Sequence, residues 1–435
     1  MAQRAFQKSQ GSGTPPEQAK LCPTAGEVFP DGAMLELLRD PSDSGPLVLL
    51  HWGRERSEIA REFTIAGLRY VPIEMEAPHL WQMRLPSKPK SYGSTEQLFS
   101  EVRDLLTKYS ELSQDAVSLL THFVFASFFI NCVRIAPCLL LSGARAEAIA
   151  LLRMLSWVCR HPILSADIGL CAFPGGLKPT RLICQPGAKI EKLLAPLQLS
   201  GFGISSNGSL REICSATALY LCGEELQTSF ADGCLRIPIA PSRTLLSVSD
   251  EQREGDAIAS LQSKLLSYRV TNFAKVRSSD FDMAEFSGPT RELARALGAC
   301  IVDAPDLNRR LLEILRPYDA AARSSRTTTI ACILLEALLM FCHERRESVH
   351  VGEVAKIANE ILSRRGEALT MNPRETGAKL KSLGFLTTRV DAGGRGLYLL
   401  QEDCERIHNS ARAHGVPSLR EGVPGCPQCQ RTRTG

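Results

Sequence analysis

The sequence lacks the marks of several large classes of protein. No apolar segment follows Met1; the stretch to Lys20 is polar and rich in Gln, Gly, Ser and Pro, so no signal peptide is visible. No long hydrophobic run goes uninterrupted. The most membrane-like stretch, Ala116 to Val133, carries His122 and Asn131 and runs into Arg134 and Pro137, which predicts a buried helix rather than a membrane span. Strong charge imbalance is also missing: 51 Lys+Arg against 47 Asp+Glu leave +4, which excludes a histone-like polycation but not a local basic face. No dense disulfide framework is present. The 15 cysteines are scattered through a chain long enough to build its own core, and read as reduced thiols of a cytoplasmic protein. Internal repeats, a G-x-S-x-G elbow and a Ser-His-Asp order are absent too.

What remains is ordinary globular material, 44% hydrophobic and 23% charged, in 435 residues, enough for more than one domain. Residues 1–45 read as a disordered or irregular leader, with Gly11-Ser12-Gly13-Thr14-Pro15-Pro16 as linker. Residues 46–92 read as a small α+β element: an apolar run at Leu47–Leu50, a helical pattern near Ile59–Ile65, then strands at Leu68–Ile73 and Leu80–Leu85. Pro86–Gly93 is a boundary loop. Ser94 and Gln97 have capping-box spacing at the head of a helix carrying Leu98, Val102, Leu105, Leu106 and Tyr109 on one face. Ala116–Asn131 predicts a second, more apolar helix.

Over residues 93–245, buried strands are expected at Cys138–Ser142, Leu182–Cys184, Thr217–Cys222 and Leu235–Ile239, with a helix over Glu147–Arg160. The alternation predicts a mainly parallel sheet covered by helices. Residues 246–325 read as helical, with breaks near Ser287-Gly288-Pro289 and Ala304-Pro305.

The strand into Gly143, followed by a helix, occupies the position of a phosphate-binding loop. Such a loop needs glycines, a lysine for the β- and γ-phosphates, and a hydroxyl for Mg²⁺. Only Gly143 matches: Ala148, Ile149 and Ala150 stand where the second Gly, the Lys and the Ser/Thr belong. The following strand should end in an acidic Mg²⁺ ligand, yet carries Cys184 and Gln185, which offer no hard anionic oxygen. The same residues also read as an ordinary strand, glycine turn and helix.

The run Gly93-Ser94-Thr95-Glu96-Gln97-Leu98-Phe99, the helix pair through Asn131 and the strand into Gly143 resemble the start of an AAA+-type P-loop ATPase module found in phage and plasmid primase-helicase-like proteins. Leu235-Arg236-Ile237-Pro238-Ile239, the Pro241-Ser242-Arg243 turn and the helix Leu261–Val270 are similar to its closing part. The resemblance covers about residues 86–415 and is nearest to a catalytically degenerate bacterial group with a C-terminal winged helix. It implies an α/β P-loop core, a helical lid-like extension over 246–325 and a winged helix-turn-helix at the end, mostly α by content. Gly143 maps to the loop, and Arg236 or Arg243 to an arginine-finger region. A surface or ion-pairing role suits those two arginines equally well.

Residues 326–415 carry the winged-helix pattern independently. A helix over Thr327–Glu344 is followed by one with Val351, Val354, Ile357, Ala358, Ile361 and Leu362 at helical spacing. A third opens at Asn372-Pro373 with Glu375 at the capping position and ends at Gly384. Then come a hairpin around Gly393-Gly394 and a helix over Glu402–His414. Between residues 364 and 395 the basic residues are Arg364, Arg365, Arg374, Lys379, Lys381, Arg389 and Arg395, and the acidic ones Glu367, Glu375 and Asp391, an excess of +4. Basic residues there would neutralise phosphates; the other reading is a solvated face on a protein-contact domain.

Residues 416–435 form a tail with Cys426-Pro427-Gln428-Cys429. Two thiols are half of a zinc site, and Cys404, His408 and His414 show no clean spacing for a second pair, so free thiols on a flexible tail are expected ahead of zinc. His122, His161 and His343 sit in or beside apolar helices and read as core residues. Taken together, the expectation is a non-catalytic, ATPase-like DNA-binding protein acting in replication or maintenance of a mobile element. It would have no cofactor, DNA and copies of itself as partners, and no membrane association. An ATPase or helicase subunit, active alone or completed by a partner, is the first alternative. A protein-interaction scaffold is the second.

Overall fold

The computed structural model describes residues 19–40, 46–53, 56–74, 83–166, 177–184, 202–204, 210–212, 214–221, 233–242, 248–286, 288–327, 329–365, 369–391, 394–416 and 426–430. The chain divides into two compact units, one of residues 1–224, 235–280 and 299–304, the other of 225–234, 281–298 and 305–435. The helical stretch expected over 246–325 is shared between them.

The first unit begins with seven short strands: β1 (Lys20–Thr24), β2 (Gly26–Val28), β3 (Met34–Arg39), β4 (Leu47–Trp52), β5 (Ser57–Ala60), β6 (Phe63–Ile65) and β7 (Leu68–Pro72). They build a β2-β3-β4-β5 sheet, antiparallel throughout, and a β1-β7-β6 sheet. The leader reading is therefore corrected over residues 20–39, where three strands form. Strand β3 is buried along Met34–Leu38, with Glu36 in the middle of the apolar run. That carboxylate breaks the hydrophobic pattern, and it is stable there because Arg160 and Arg269 pair with it at 2.8 and 2.6 Å. The helix expected near Ile59–Ile65 is corrected too: β5 and β6 lie there. Ala66 and Gly67, at φ +49° and +78°, make the two-residue turn that joins Ile65 to Leu68. Of the strand expected over Leu80–Leu85, residues 80–82 lie outside the described residues and Met83–Leu85 are not in a strand.

Helices α1 (Thr95–Lys108) and α2 (Gln114–Ser127) follow. Ser94 caps α1 by accepting from the Gln97 amide at 3.1 Å, but the Gln97 side chain turns to Glu101 instead of completing the box. Then come β8 (Cys138–Gly143), α3 (Arg145–Val158), β9 (Pro162–Ser165), β10 (Thr180–Ile183), the β11 (Phe202–Ile204) and β12 (Leu210–Glu212) pair, β13 (Thr217–Leu221), β14 (Leu235–Ile239), α4 (Val248–Arg253) and α5 (Gly255–Arg277). Five of these strands form the expected parallel sheet in the order β14-β8-β13-β10-β9, making the unit α/β. Strand β9 was not foreseen. Edge position explains how β14 tolerates Pro238 in mid-strand. Because β8 is flanked by β13 and β14, both late in the chain, its C-terminal end is a topological switch point, where open α/β sheets commonly bind ligands.

The second unit contains α6 (Gly288–Gly298), α7 (Pro305–Thr327), α8 (Ile330–His343), β15 (Ser348–His350), α9 (Val351–Arg364), α10 (Pro373–Ser382), β16 (Thr388–Asp391), β17 (Gly394–Tyr398), α11 (Gln401–Ala413) and the single turn α12 (Pro427–Gln430). The two breaks expected in this region fall where α6 and α7 begin, and α7 runs on past Pro317 in its interior. Helix α8 is apolar on nearly every side and centres the core, with Leu334, Leu335 and Leu338 packed alongside Val354, Ile361, Leu380 and Ile407. The three strands form an antiparallel β15-β17-β16 sheet. Among the described residues no helix is long and apolar enough to cross a membrane.

Candidate nucleic-acid interface

At the switch point, the Gly143 carbonyl and the Ala144 amide are already committed to protein partners. Gly143 ends β8 at φ +107°, and a β-carbon on it would come within 2.3 Å of the Ile239 carbonyl oxygen. The Ala144 amide donates to that same oxygen at 2.9 Å. Tyr220 donates its hydroxyl to the Gly143 carbonyl at 3.0 Å. Helix α3 starts at Arg145, one residue beyond Ala144, leaving no loop to wrap a phosphate chain. Its first turn carries Glu147, which accepts from the Ser242 amide at 3.0 Å. A carboxylate there satisfies the positive end of the helix dipole that an anion would otherwise use. The adjoining cavity is lined by Glu111 as well as Glu147, so its charge opposes phosphate.

Arg236 is exposed on the edge strand β14. Arg243 and Gln185 lie outside the described residues. Cys184 follows β10 half-buried, its thiol pushed up by desolvation and drawn back by the nearby Arg145 and Arg153. Elsewhere burial pushes the Cys159 thiol up to about 12 and the Cys332 thiol to about 11, so these behave as packing residues rather than nucleophiles.

In the second unit α10 is built by local chemistry legible in its residues. Asn372 accepts from the Glu375 amide at 2.9 Å while Glu375 accepts from the Asn372 amide at 3.3 Å, a complete capping box with Pro373 as first helical residue. At the other end Gly384 takes φ +84°. The Phe385 amide reaches back to the Leu380 carbonyl at 2.9 Å and the Gly384 amide to that of Lys381 at 3.0 Å, with Leu380 and Phe385 both buried. This is the Schellman arrangement. Thr376 and Leu380 face the core. Arg374, Ala378, Lys381 and Ser382 then share the opposite face at helical spacing, and all four are exposed.

The basic residues separate into groups. Arg374 and Lys381 stand together on the outer face of α10; Lys379 is exposed but rotated to its flank. Arg389 and Arg395 are exposed and directly opposite one another in the β16–β17 hairpin. Arg364 is exposed at the end of α9. Arg365 does not belong with them, since it pairs with Glu336 of α8. Of the acidic residues, Asp391 sits 3.1 Å from the His350 ring, and Glu375 is occupied by the helix cap.

Two contributors escaped sequence reading, Asn359 and His343. Asn359 of α9 accepts from the Met371 amide at 2.7 Å and donates to the Met371 carbonyl at 3.0 Å, fixing the turn into α10. An amide twelve residues from its partner leaves no local signature. His343, expected in the core, and His408, weighed as a ligand but without a clean spacing, stand beside Cys429 and Cys426 of the tail. No spacing rule joins His343 to Cys429; only the fold does.

No protein-family model matches the chain, and no curated protein does. Among solved structures, the apo structure of the NrS-1 C-terminal region is similar over 84% of this chain and 96% of its own, at 11% identity and a TM-score of 0.34. Drosophila ORC bound to DNA is similar over 78% and 95%, at 11% identity and a TM-score of 0.19. Scores that low carry no argument about this chain.

Proposed function

We propose that the second unit ends in a winged helix that binds duplex DNA, with α10 entering the major groove and the β16–β17 hairpin lying on the backbone. The observation that carries this reading is the pairing of a basic outer helix face, Arg374 and Lys381, with two opposed arginines, Arg389 and Arg395, on the neighbouring hairpin. Like charges facing each other across a hairpin are unfavourable in isolation, and a polyanion is the partner that makes them favourable. In the first unit, the short β8–α3 connection and Glu147 favour a P-loop-like core that organises the protein without turning over ATP.

Fluorescence anisotropy of the full chain with duplex and single-stranded DNA across a salt series tests the reading. Binding that weakens steeply with salt, and drops when Arg374, Lys381, Arg389 and Arg395 are all changed to alanine, is the expected result. Retained affinity in that variant, or no binding at low salt, would remove it.

One observation favours a second reading, a surface for another protein. Leu386 and Leu400 flank the hairpin at 71% and 64% exposure, with Tyr398 exposed nearby. Exposed apolar side chains in a cluster commonly mark contact surfaces. The same titration separates the two, because protein contact through these residues does not depend on the four basic side chains.

A further inference from the structure

We infer that His343, His408, Cys426 and Cys429 form a tetrahedral zinc site that fastens the C-terminal turn α12 to helices α8 and α11. The four donor atoms all lie within 4.8 Å of one another. His343 Nε2 and His408 Nε2 are 3.2 Å apart, Cys426 Sγ is 3.4 Å from His408 Nε2, and Cys429 Sγ is 3.3 Å from His343 Nε2. With zinc–nitrogen bonds of about 2.0–2.1 Å and zinc–sulfur bonds of about 2.3 Å, a tetrahedron has N···N edges of about 3.3 Å and N···S edges of about 3.6 Å. The observed spacings match that figure in both kinds of edge.

The surroundings agree with the donor set. Cys426, Cys429 and His408 are buried. His408 Nδ1 lies 2.7 Å from the Cys404 carbonyl, so the proton of the neutral ring sits on Nδ1 and the Nε2 lone pair points at the cluster. Such an outer hydrogen bond fixes the tautomer of metal-binding histidines. Two thiolates and two imidazoles in a closed tetrahedron select zinc over hard cations, which prefer oxygen.

The tail also needs an anchor. Helix α12 has four residues, far below the length at which a helix holds itself in water. Among its ties to α11 is the Arg412 guanidinium, donating to the Gln428 carbonyl at 2.7 Å. A metal cross-link between residues 343, 408 and 426–429 adds stabilisation to that turn, within the same unit that carries α10. Sequence spacing showed only the Cys-x-x-Cys half; the two histidines come from helices that meet only in the fold. This site stands independently of the DNA-binding reading.

The test uses untagged full-length protein, purified anaerobically without chelator, and measures metal by plasma mass spectrometry. About one zinc per chain is expected, with a loss of about tenfold or more in the Cys426→Ser/Cys429→Ser double variant. Cobalt substitution gives a readout independent of zinc content: intense tetrahedral d–d bands with thiolate-to-cobalt charge transfer in the wild type, the charge transfer lost in the double variant. His408→Cys, which keeps four soft donors, retains the metal with stronger charge transfer, separating ligand loss from misfolding. Wild-type protein free of stoichiometric zinc and unable to take up cobalt would overturn the proposal. So would zinc that persists unchanged in the double cysteine variant, or a Cys426–Cys429 disulfide in the anaerobic preparation.

Discussion

Arg389 and Arg395 face each other across the β16–β17 hairpin as register partners, and each guanidinium is tethered to a backbone carbonyl. Arg395 donates to Thr387 at 2.7 Å and Arg389 to Asp391 at 3.4 Å, so both side chains are held over the hairpin rather than splayed apart. A like-charge pair in this position costs about 0.2–1 kcal/mol of folding stability relative to a neutral one. The variant Arg395→Glu turns the repulsion into an attraction. It is expected to raise stability in chemical denaturation slightly while weakening duplex DNA binding. The slope of log affinity against log salt should fall by about one for each phosphate that is no longer neutralised. Stability and binding moving in opposite directions is a result that loss of fold cannot produce.

Asn359 offers a second handle on the same helix. Both the oxygen and the nitrogen of its side-chain amide hold the Met371 backbone just ahead of the α10 cap. Replacing it with leucine removes both bonds and leaves a part-buried backbone donor and acceptor unpaired, a loss of about 1–3 kcal/mol. DNA affinity is expected to fall with it, because the orientation of Arg374 and Lys381 depends on where α10 starts. Asn359→Asp can still accept from the Met371 amide, so it should recover part of the stability lost in Asn359→Leu. Denaturant midpoints and anisotropy on the same three proteins check both statements.

Much of the architecture was legible because it was written in local patterns. Buried parallel strands show as short apolar runs, and Leu235–Ile239 was read to the residue. The box at Asn372 and Glu375 and the glycine after Leu383 marked both ends of α10, because caps are chemistry between near neighbours. What escaped was long-range. Glu36 hid β3 by interrupting an apolar run, and only Arg160 and Arg269, more than a hundred residues away, make that charge tolerable. Arg365 looked equivalent to Arg364 in the charge balance, but its neighbour in space, Glu336, removes it from the basic face. His343 looked like a core residue for the same reason: its partners arrive from the end of the chain. At the switch point the sequence supplied the residue types. The brevity of the β8–α3 connection, by contrast, needed the helix start to be seen.

That brevity yields an expectation about nucleotide. Since Ala144 and Ser242 spend their amides on Ile239 and Glu147, and Glu147 sets a carboxylate in the first turn of α3, magnesium-ATP is expected to leave the thermal midpoint unchanged in a ligand-shift experiment. Gly143→Ala is expected to destabilise regardless of nucleotide. The positive φ alone costs about 1–3 kcal/mol for a residue with a side chain, and the new methyl meets the Ile239 carbonyl. A nucleotide-dependent rise in the midpoint that Gly143→Ala abolishes would revive a working loop.

The buried triad of Glu36, Arg160 and Arg269 sets an acid limit on the first unit. Burial alone would raise the Glu36 pKa, but the Arg160 and Arg269 guanidiniums outweigh it and hold the carboxyl at about 2, below the 4.5 of a free glutamate. A carboxylate whose pKa is depressed by folding contributes stability that is complete above the unfolded value. That stability is lost as pH falls from about 4.5 toward about 2, because the unfolded chain takes up the proton first. Burial and the neighbouring Arg269 lower Arg160 to about 10, so it stays charged throughout this range. Glu36→Gln keeps the shape but leaves two guanidiniums buried without a counter-charge, which should cost about 3–5 kcal/mol at neutral pH. The penalty should shrink steadily below pH 4.5, where wild-type protein loses the same contribution. Denaturant titrations of the two proteins at a series of pH values measure that convergence; parallel curves would mean that the carboxylate is not the group responsible.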